Sequence, residues 1–503
     1  MGKKPSAKWI YEYLKQQEQF NIENHALLIM QGDDIAFEEY NYPYSAHMPH
    51  TLFSVTKSIT STAAGFAVDE GLLSLDTKIE DIFTDYEKCQ GTQWADLTLR
   101  SVLTMSSNKK FTFLQDMTAD YNTIFMKADF RKNSGFLYSN NDAHIVAAAV
   151  QKVSGQSLVE YLTPRLFEPL GIDVPFWETN DAGECIGGTG CYLKARDLAK
   201  ICRCYANGGK YNGKQVIPEL WCREATKIQV EFRENEGYGY LFWIKNGIFS
   251  MTGMYGQLVS YIPQYDIVLV SLNSCIAEGN NSSLAENVLI KAFSEESTPE
   301  DEWVLARYLE NRRLKIKKGN KLPLVENNKE YYITALSDSM ANIIFPQSVI
   351  PRTLTCSFAK RPKKNLDRVS FDLRAGALEI TWYEEDDKVT INCGIDGEPR
   401  MSECVIKGYP YKIWSYGYTE GQKFKVVVKP LNTLSTHYID IEFKPDEVKM
   451  GFKSTPCFTE FIQKQAVEPE FVRENKLVKG VTEGSVGLFL KTAEKPLTFK
   501  AKK

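Results

Sequence analysis

Histidine is scarce in this chain, five residues in 503, and the scarcity excludes a chemistry. Only His47 and His50 fall close together, so no metal centre is expected. Cysteine supplies no scaffold either. The 11 cysteines are scattered and odd in number, which is the pattern of reduced thiols rather than of a disulfide framework. Cys202 and Cys204 lie in a helical pattern without a second Cys/His pair at zinc spacing. No apolar run is long enough to span a membrane. The N-terminal stretch "MGKKPSAKWIYEYLKQQEQF" has no apolar signal core, and Lys3, Lys4 and Pro5 spoil a myristoylation pattern. A cytoplasmic protein with no membrane partner is therefore expected. A dominant charge is missing too. The 60 basic and 64 acidic residues leave a net charge of −4, which argues against nucleic acid as a partner. The one dense basic run, "RRLKIKKGNK" at 312–321, reads as a solvated linker surface.

What is present is the material of a soluble globular protein, 43% hydrophobic and 25% charged. The length suits two or three domains. Residues 25–40, "HALLIMQGDDIAFEEY", read as two strands around a Gly-Asp-Asp turn. Helical spacing follows at 54–71, 98–105, 141–154 and 194–208, the last two closed by Gly155 and by Gly208-Gly209. Strand patterns return in "GYGYLFWIKNG", "IFSMTGMYGQLVSYIPQ" and "DIVLVSLNS", and a helix closes the region at 282–295. Strands at both ends with helices between them predict an α+β domain, one antiparallel sheet flanked by helices, over 1–295. A charged, proline-containing stretch at 296–328 reads as a linker of helix plus loop. Beyond it, over 329–503, short alternating segments such as "YYITAL", "TLTCSFAK", "ALEITWYE", "KFKVVVKP", "HYIDIEF" and "VGLFLKT" predict an all-β antiparallel barrel or sandwich.

The stretch "FSVTKSIT" at 53–60 carries chemistry. The loop-like "MPHTLF" precedes it and helical spacing follows, so Ser54 falls at a helix start with Lys57 one turn on. On a helix those two side chains share a face. A serine hydroxyl is a weak nucleophile until a base takes its proton. A lysine amine serves as that base when burial lowers its pKa. Free N–H groups at the helix start suit a developing oxyanion. The pair alone is equally a capping serine and a solvated lysine, because S-x-x-K arises often by chance. A second box, "FLYSNNDAH", sets Tyr138, Ser139 and Asn140 just ahead of the helix at 141. A tyrosine relays protons and an asparagine holds a carbonyl or an amine. Taken alone, the box is also a helix cap with a packed tyrosine.

With the third box, "MTGMYGQ" at 251–257, the chain resembles the penicillin-recognising serine hydrolases, the superfamily of class C β-lactamases, D-peptidases and related esterases. "SVTK" (54–57) and "YSN" (138–140) carry the resemblance. "LTLRSVLTMSS", "YLTPRLFEPLGI", "LAKICRCYANGGKYNGKQVIPELW" and "YGYLFWI" support it over residues 25 to about 295. The β-rich remainder is similar, by pattern alone, to lipocalin-like domains appended to such hydrolases. The resemblance implies that Ser54 is acylated, that Lys57 is its partner and that Tyr138 is base or relay, with Asn140 orienting substrate. It places Met251, Thr252 and Gly253 on the strand beside the site. It implies too that the Met254 N–H joins that of Ser54 in the oxyanion hole and that no cofactor is needed. The expected activity is hydrolysis of a small ester or amide, among which D-amino-acid peptides are included. The competing expectation is a non-catalytic binder of the same fold. One departure matters: Met251 stands where the family has lysine or histidine. That removes a cation for a substrate carboxylate and, with the missing export signal, argues against a true β-lactamase.

Overall fold

The structure, a computed structural model, describes residues 4–111, 120–132, 135–180, 182–275, 279–312, 316–317, 325–333, 366–384, 387–406, 408–456 and 497–501. The chain forms two compact units, the first mainly Met1–Arg313 and the second mainly Leu314–Lys503.

The first unit is built on an eight-stranded sheet. Its strands are β1 (Glu23–Gln31), β2 (Asp34–Tyr40), β3 (Val230–Arg233), β4 (Glu236–Tyr238), β5 (Trp243–Lys245), β6 (Ile248–Gly253), β7 (Gln257–Ile262) and β8 (Ile267–Ser274). They lie in the order β2-β1-β8-β7-β6-β5-β4-β3, with every neighbour antiparallel. Successive side chains on a strand point to opposite faces, and β1 shows what that does here. Leu28 and Met30 join the larger core, while Leu27 and Ile29 join a second one. The central strands therefore read as continuous apolar runs, because helices cover both faces.

On the larger core side lie α2 (Thr56–Asp69), α3 (Asn140–Ser154) and α4 (Ala195–Ala206). Against the opposite face pack α1 (Ala7–Gln19), α5 (Gly279–Asn287) and α6 (Pro299–Asn311), through Ile10, Leu14, Leu284 and Leu305. The helix at the head of the expected linker is thus α6, and it belongs to the first unit. Its Leu305 is part of a core that a charge-rich local sequence does not announce.

The second unit holds ten described strands between Glu330 and Ala501, in a single sheet whose strands run antiparallel to their neighbours. A parallel bridge between Gly394 and Tyr416 joins the strand at one end of this sheet to the next-to-last strand at the other, so nine strands close into a barrel rather than a sandwich, and the strand Arg400–Ile406 pairs on its outer side with Tyr409–Glu420. Trp382, Val426, Ile441 and Phe499 are among its fully buried residues. The segments 377–384 and 423–430 match observed strands end to end. "TLTCSFAK" and "VGLFLKT" lie outside the described residues. Strands at Arg400–Ile406, Glu447–Thr455 and Leu497–Ala501 escape the sequence reading.

Candidate active site

The hydroxylated run after Ser54 becomes a helix buried on all sides: Thr56 through Ala67 are all buried. A hydroxyl tolerates burial when a carbonyl or another hydroxyl meets it. Ser58 donates to Leu241 O at 2.7 Å and Thr60 to Gly187 O at 2.9 Å, and Thr62 donates to Ser58 O at 2.9 Å. The S/T-rich sequence therefore clamps α2 to surrounding loops, so the residues that begin it are held in place.

Ser54 lies in a short 3-10 turn, Phe53–Val55, that feeds α2. Phe53 enters that turn with φ 47° and Tyr255 faces it with φ 63°, both left-handed. Their rings meet edge to face at 5.2 Å. A non-glycine residue in this region costs about 1–3 kcal/mol and persists only where packing over-determines it. Gly253 explains how the end of β6 comes so close. A Cβ there would lie 2.4 Å from Leu52 O and 3.2 Å from the Ser54 nitrogen.

Lys57 is 1% exposed and Ser54 8% exposed. The lysine Nζ donates to Ser54 Oγ at 2.8 Å, to Asn140 Oδ1 at 2.6 Å and to Gly188 O at 2.7 Å. An ammonium has three donors, and three oxygens receive them. In the neutral amine the contact with Ser54 reverses, and the hydroxyl donates to the nitrogen lone pair. Tyr138 lies over the same amine, its ring centroid 4.9 Å from Nζ. It stacks on Trp243 at 5.5 Å and meets Tyr238 edge to face at 6.2 Å. Phe136 and Phe232 extend this aromatic wall. Burial pushes the Tyr238 phenol well above its ordinary pKa, which keeps it a neutral wall residue.

Ser139 takes the structural role in the second box. Its Oγ accepts from Asn141 N at 3.0 Å and Asp142 N at 3.3 Å, capping α3. The cap and the site coexist, since the same turn presents Asn140 to Lys57.

In the third box, Met251 is 1% exposed and belongs to the larger core, the one shared with α2, while Thr252 and Gly253 are half-buried. Met254 begins the turn Met254–Gly256 after β6. That turn is fastened from the other sheet face: Asn273 and Asn281 both donate to Gly256 O, at 2.6 and 2.9 Å. Tyr13 and Gln17 of α1 each donate to Asn281 Oδ1 at 2.9 Å.

The structure thus brings Ser54, Lys57, Tyr138 and Asn140 together and sets the end of β6 against the Ser54 backbone. The sequence reading missed Gly188 and this amide network. The signal for the first was the glycine pair in "CIGGTG", which marks a loop approaching another backbone closely. Among the described residues, no group of three or more His, Cys, Asp or Glu side chains is placed to hold a metal ion. Nor is any helix among them long and apolar enough to cross a membrane.

A helix-sandwiched antiparallel sheet with a buried lysine on a serine at the head of a helix defines the class. The beta-lactamase family pattern matches residues 14–275, more than half of the chain, and the chain belongs to that family. A 6-aminohexanoate-dimer hydrolase of Paenarthrobacter ureafaciens is 25% identical over 288 residues, 50% of this chain and 72% of that protein. A lovastatin esterase of Penicillium rubens is 29% identical over 150 residues, 24% of this chain and 37% of the esterase. Among solved structures, a Bacillus anthracis protein assigned as a 6-aminohexanoate-dimer hydrolase superimposes with a TM-score of 0.50. It is 20% identical, covering 55% of this chain and 80% of that one, and it shows the shared fold.

Proposed function

We propose that the first unit is a serine hydrolase that forms an acyl-enzyme at Ser54 and cleaves a small ester or amide. The observation that carries this reading is the 2.8 Å contact between Lys57 Nζ and Ser54 Oγ in a buried setting. Ser54 Oγ attacks the substrate carbonyl carbon while its proton passes to the neutral Lys57 amine, with Tyr138 beside it as the relay towards the leaving group. The oxyanion takes hydrogen bonds from the Ser54 and Met254 N–H groups. The carbonyl re-forms, the leaving group departs with a proton delivered by the same groups, and water then releases the acyl group. Asn140 keeps the lysine aimed and orients the substrate. Relatives named as a dimer hydrolase and as an esterase support hydrolysis of amide-like or ester-like bonds. The rings of Phe136, Phe232 and Trp243 beside Tyr138 favour an apolar group on one side of the scissile bond.

The test is covalent labelling. A fluorophosphonate probe is expected to add once to the protein, at Ser54, and not at all to Ser54→Ala. A normal adduct yield on Ser54→Ala overturns the assignment. No adduct on the wild-type protein, with no turnover of p-nitrophenyl esters or D-aminoacyl anilides, favours the non-catalytic binder instead.

A further inference from the structure

Lys109 is a second buried lysine, and the hydrolysis proposed above gives it no part. It is 1% exposed. Its Nζ sits 3.7 Å from the Trp94 ring centroid and 3.9 Å from that of Phe130, with Phe125 at 5.6 Å. The amine donates to Ala128 O at 2.9 Å and to Cys89 Sγ at 3.4 Å. Both Cys89 and Lys109 lie in segments held by hydrogen bonds. Cys89 N donates to Met126 O at 3.0 Å and the Trp94 indole donates to Cys89 O at 2.9 Å. Lys109 is bridged to Phe130, and Lys110 N donates to Asp129 O at 2.8 Å. Among the nine described cysteines seven are buried, while Cys89 and Cys404 are half-exposed.

The geometry points to a redox-responsive modification site in which Cys89, oxidised by a peroxide, is captured by Lys109 as a covalent sulfenamide. In the first step the Cys89 sulfur attacks a peroxide oxygen. An S–O bond forms, the O–O bond breaks, and the thiol proton leaves with the departing hydroxide as water. Sulfenic acids condense with thiols or nitrogen nucleophiles when one is at hand. In the second step Lys109 Nζ attacks that sulfur, so that an S–N bond forms and the S–OH bond breaks. The hydroxide takes an amine proton and leaves as a second water. The net change is a loss of two hydrogens with two-electron oxidation of the pair and reduction of the peroxide. A dithiol reverses it: one thiol attacks the sulfur, the S–N bond breaks and the lysine amine leaves with the thiol proton, and the second thiol then attacks the mixed disulfide and releases the Cys89 thiol.

The second step needs a neutral amine, and burial among the rings lowers the Lys109 pKa to about 8, so a fraction is neutral near physiological pH. Added lysine or solvent nucleophiles must diffuse in, whereas Lys109 is already at contact distance. The modification would also sit close to the candidate site. Lys109 N donates to Ser107 Oγ at 3.3 Å, and Ser107 donates to Asp142 Oδ1 at 2.9 Å in the first turn of α3, beside Asn140.

The test treats the full chain with hydrogen peroxide at mildly alkaline pH, with and without the sulfenic-acid trap dimedone, followed by peptide mapping. The expected product is a Cys89–Lys109 linked peptide pair lighter by two hydrogens, absent from Cys89→Ser and reversed by dithiothreitol. Dimedone is expected to label Cys89 poorly in the wild type. Lys109→Met is expected to raise that labelling several-fold, and the wild-type mapping stands whether or not that variant folds. Full dimedone capture of wild-type Cys89, its conversion to sulfinic acid with Lys109 unmodified, or oxidation of Cys404 while Cys89 remains a thiol would each overturn the inference.

Discussion

Replacing Lys57 by methionine separates the catalytic reading from a purely structural one. The change removes the group that touches Ser54 and leaves the side-chain volume nearly filled. Two free energies respond differently. On stability, Asn140 Oδ1 and Gly188 O lose their lysine donor. A buried unsatisfied acceptor costs about 1–3 kcal/mol. Against that, a 1% exposed amine no longer has to be desolvated, which removes a penalty of about 1–3 kcal/mol. The two contributions oppose each other, so the variant is expected to fold, with a stability change of at most about 3 kcal/mol. On turnover nothing offsets the loss. A catalytic unit that loses its base falls by about 10³-fold or more, close to 4 kcal/mol of barrier. The assay is burst kinetics with a p-nitrophenyl ester, beside urea unfolding and near-UV circular dichroism of the same preparation. Tyr138→Phe and the double variant complete the cycle, and the double loss is expected to fall far short of the product of the single losses. A folded Lys57→Met enzyme within tenfold of wild type would refute the reasoning. So would single losses that simply multiply.

Gly187→Ala should disturb the same lysine from a distance. The added Cβ would lie 2.3 Å from the Ala147 Cβ and 2.8 Å from Ala143 O, so the loop carrying Gly188 must shift. Overpacking of this kind costs roughly 1–3 kcal/mol. Turnover should fall with stability in urea, and an unchanged rate would show that the Gly188 contact is dispensable. His50 gives a pH dependence. Burial lowers its pKa from 6.5 to about 4, while the unfolded chain titrates near 6.5. Between those values the unfolded state binds the extra proton, so stability is full above about pH 6.5 and declines as pH falls towards 4. The limit is about 3 kcal/mol at roughly 1.4 kcal/mol per pH unit, and unfolding midpoints should lose this slope in His50→Asn. Met251 predicts a substrate preference. With no cation at that position, the free carboxylate should lack the roughly 10- to 100-fold advantage in kcat/KM that such a contact would give it, and the matched methyl ester should be the better substrate. A preference for the free acid would show that another residue supplies the charge.

The buried position of Met251 qualifies how that preference arises. A lysine there would enter the same core layer that α2 packs into, so methionine spares that layer a second buried amine as well as removing a contact for substrate. Burial of this kind is invisible in "MTGMYGQ", because strand alternation tells which residues share a face but not what covers it.

The elements that rest on short-range regularities were legible in the chain itself. Periodicity placed α2, α3 and α4 within a residue or two, alternation placed most of the barrel strands, and the i, i+3 spacing put Ser54 and Lys57 on one face. Those features depend on neighbours a few residues apart, and backbone geometry fixes how such neighbours meet. What only the tertiary structure decided were the meetings across long stretches of chain. Asn140 and Gly188 reach Lys57 from 83 and 131 residues away. Asn281 supports the Met254–Gly256 turn from behind the sheet. Helix α6 joins the first unit through Leu305, and Cys89 comes to rest against Lys109. Each such contact is set by how two cores pack on the opposite faces of one sheet, a cooperative result that no local window of the sequence contains.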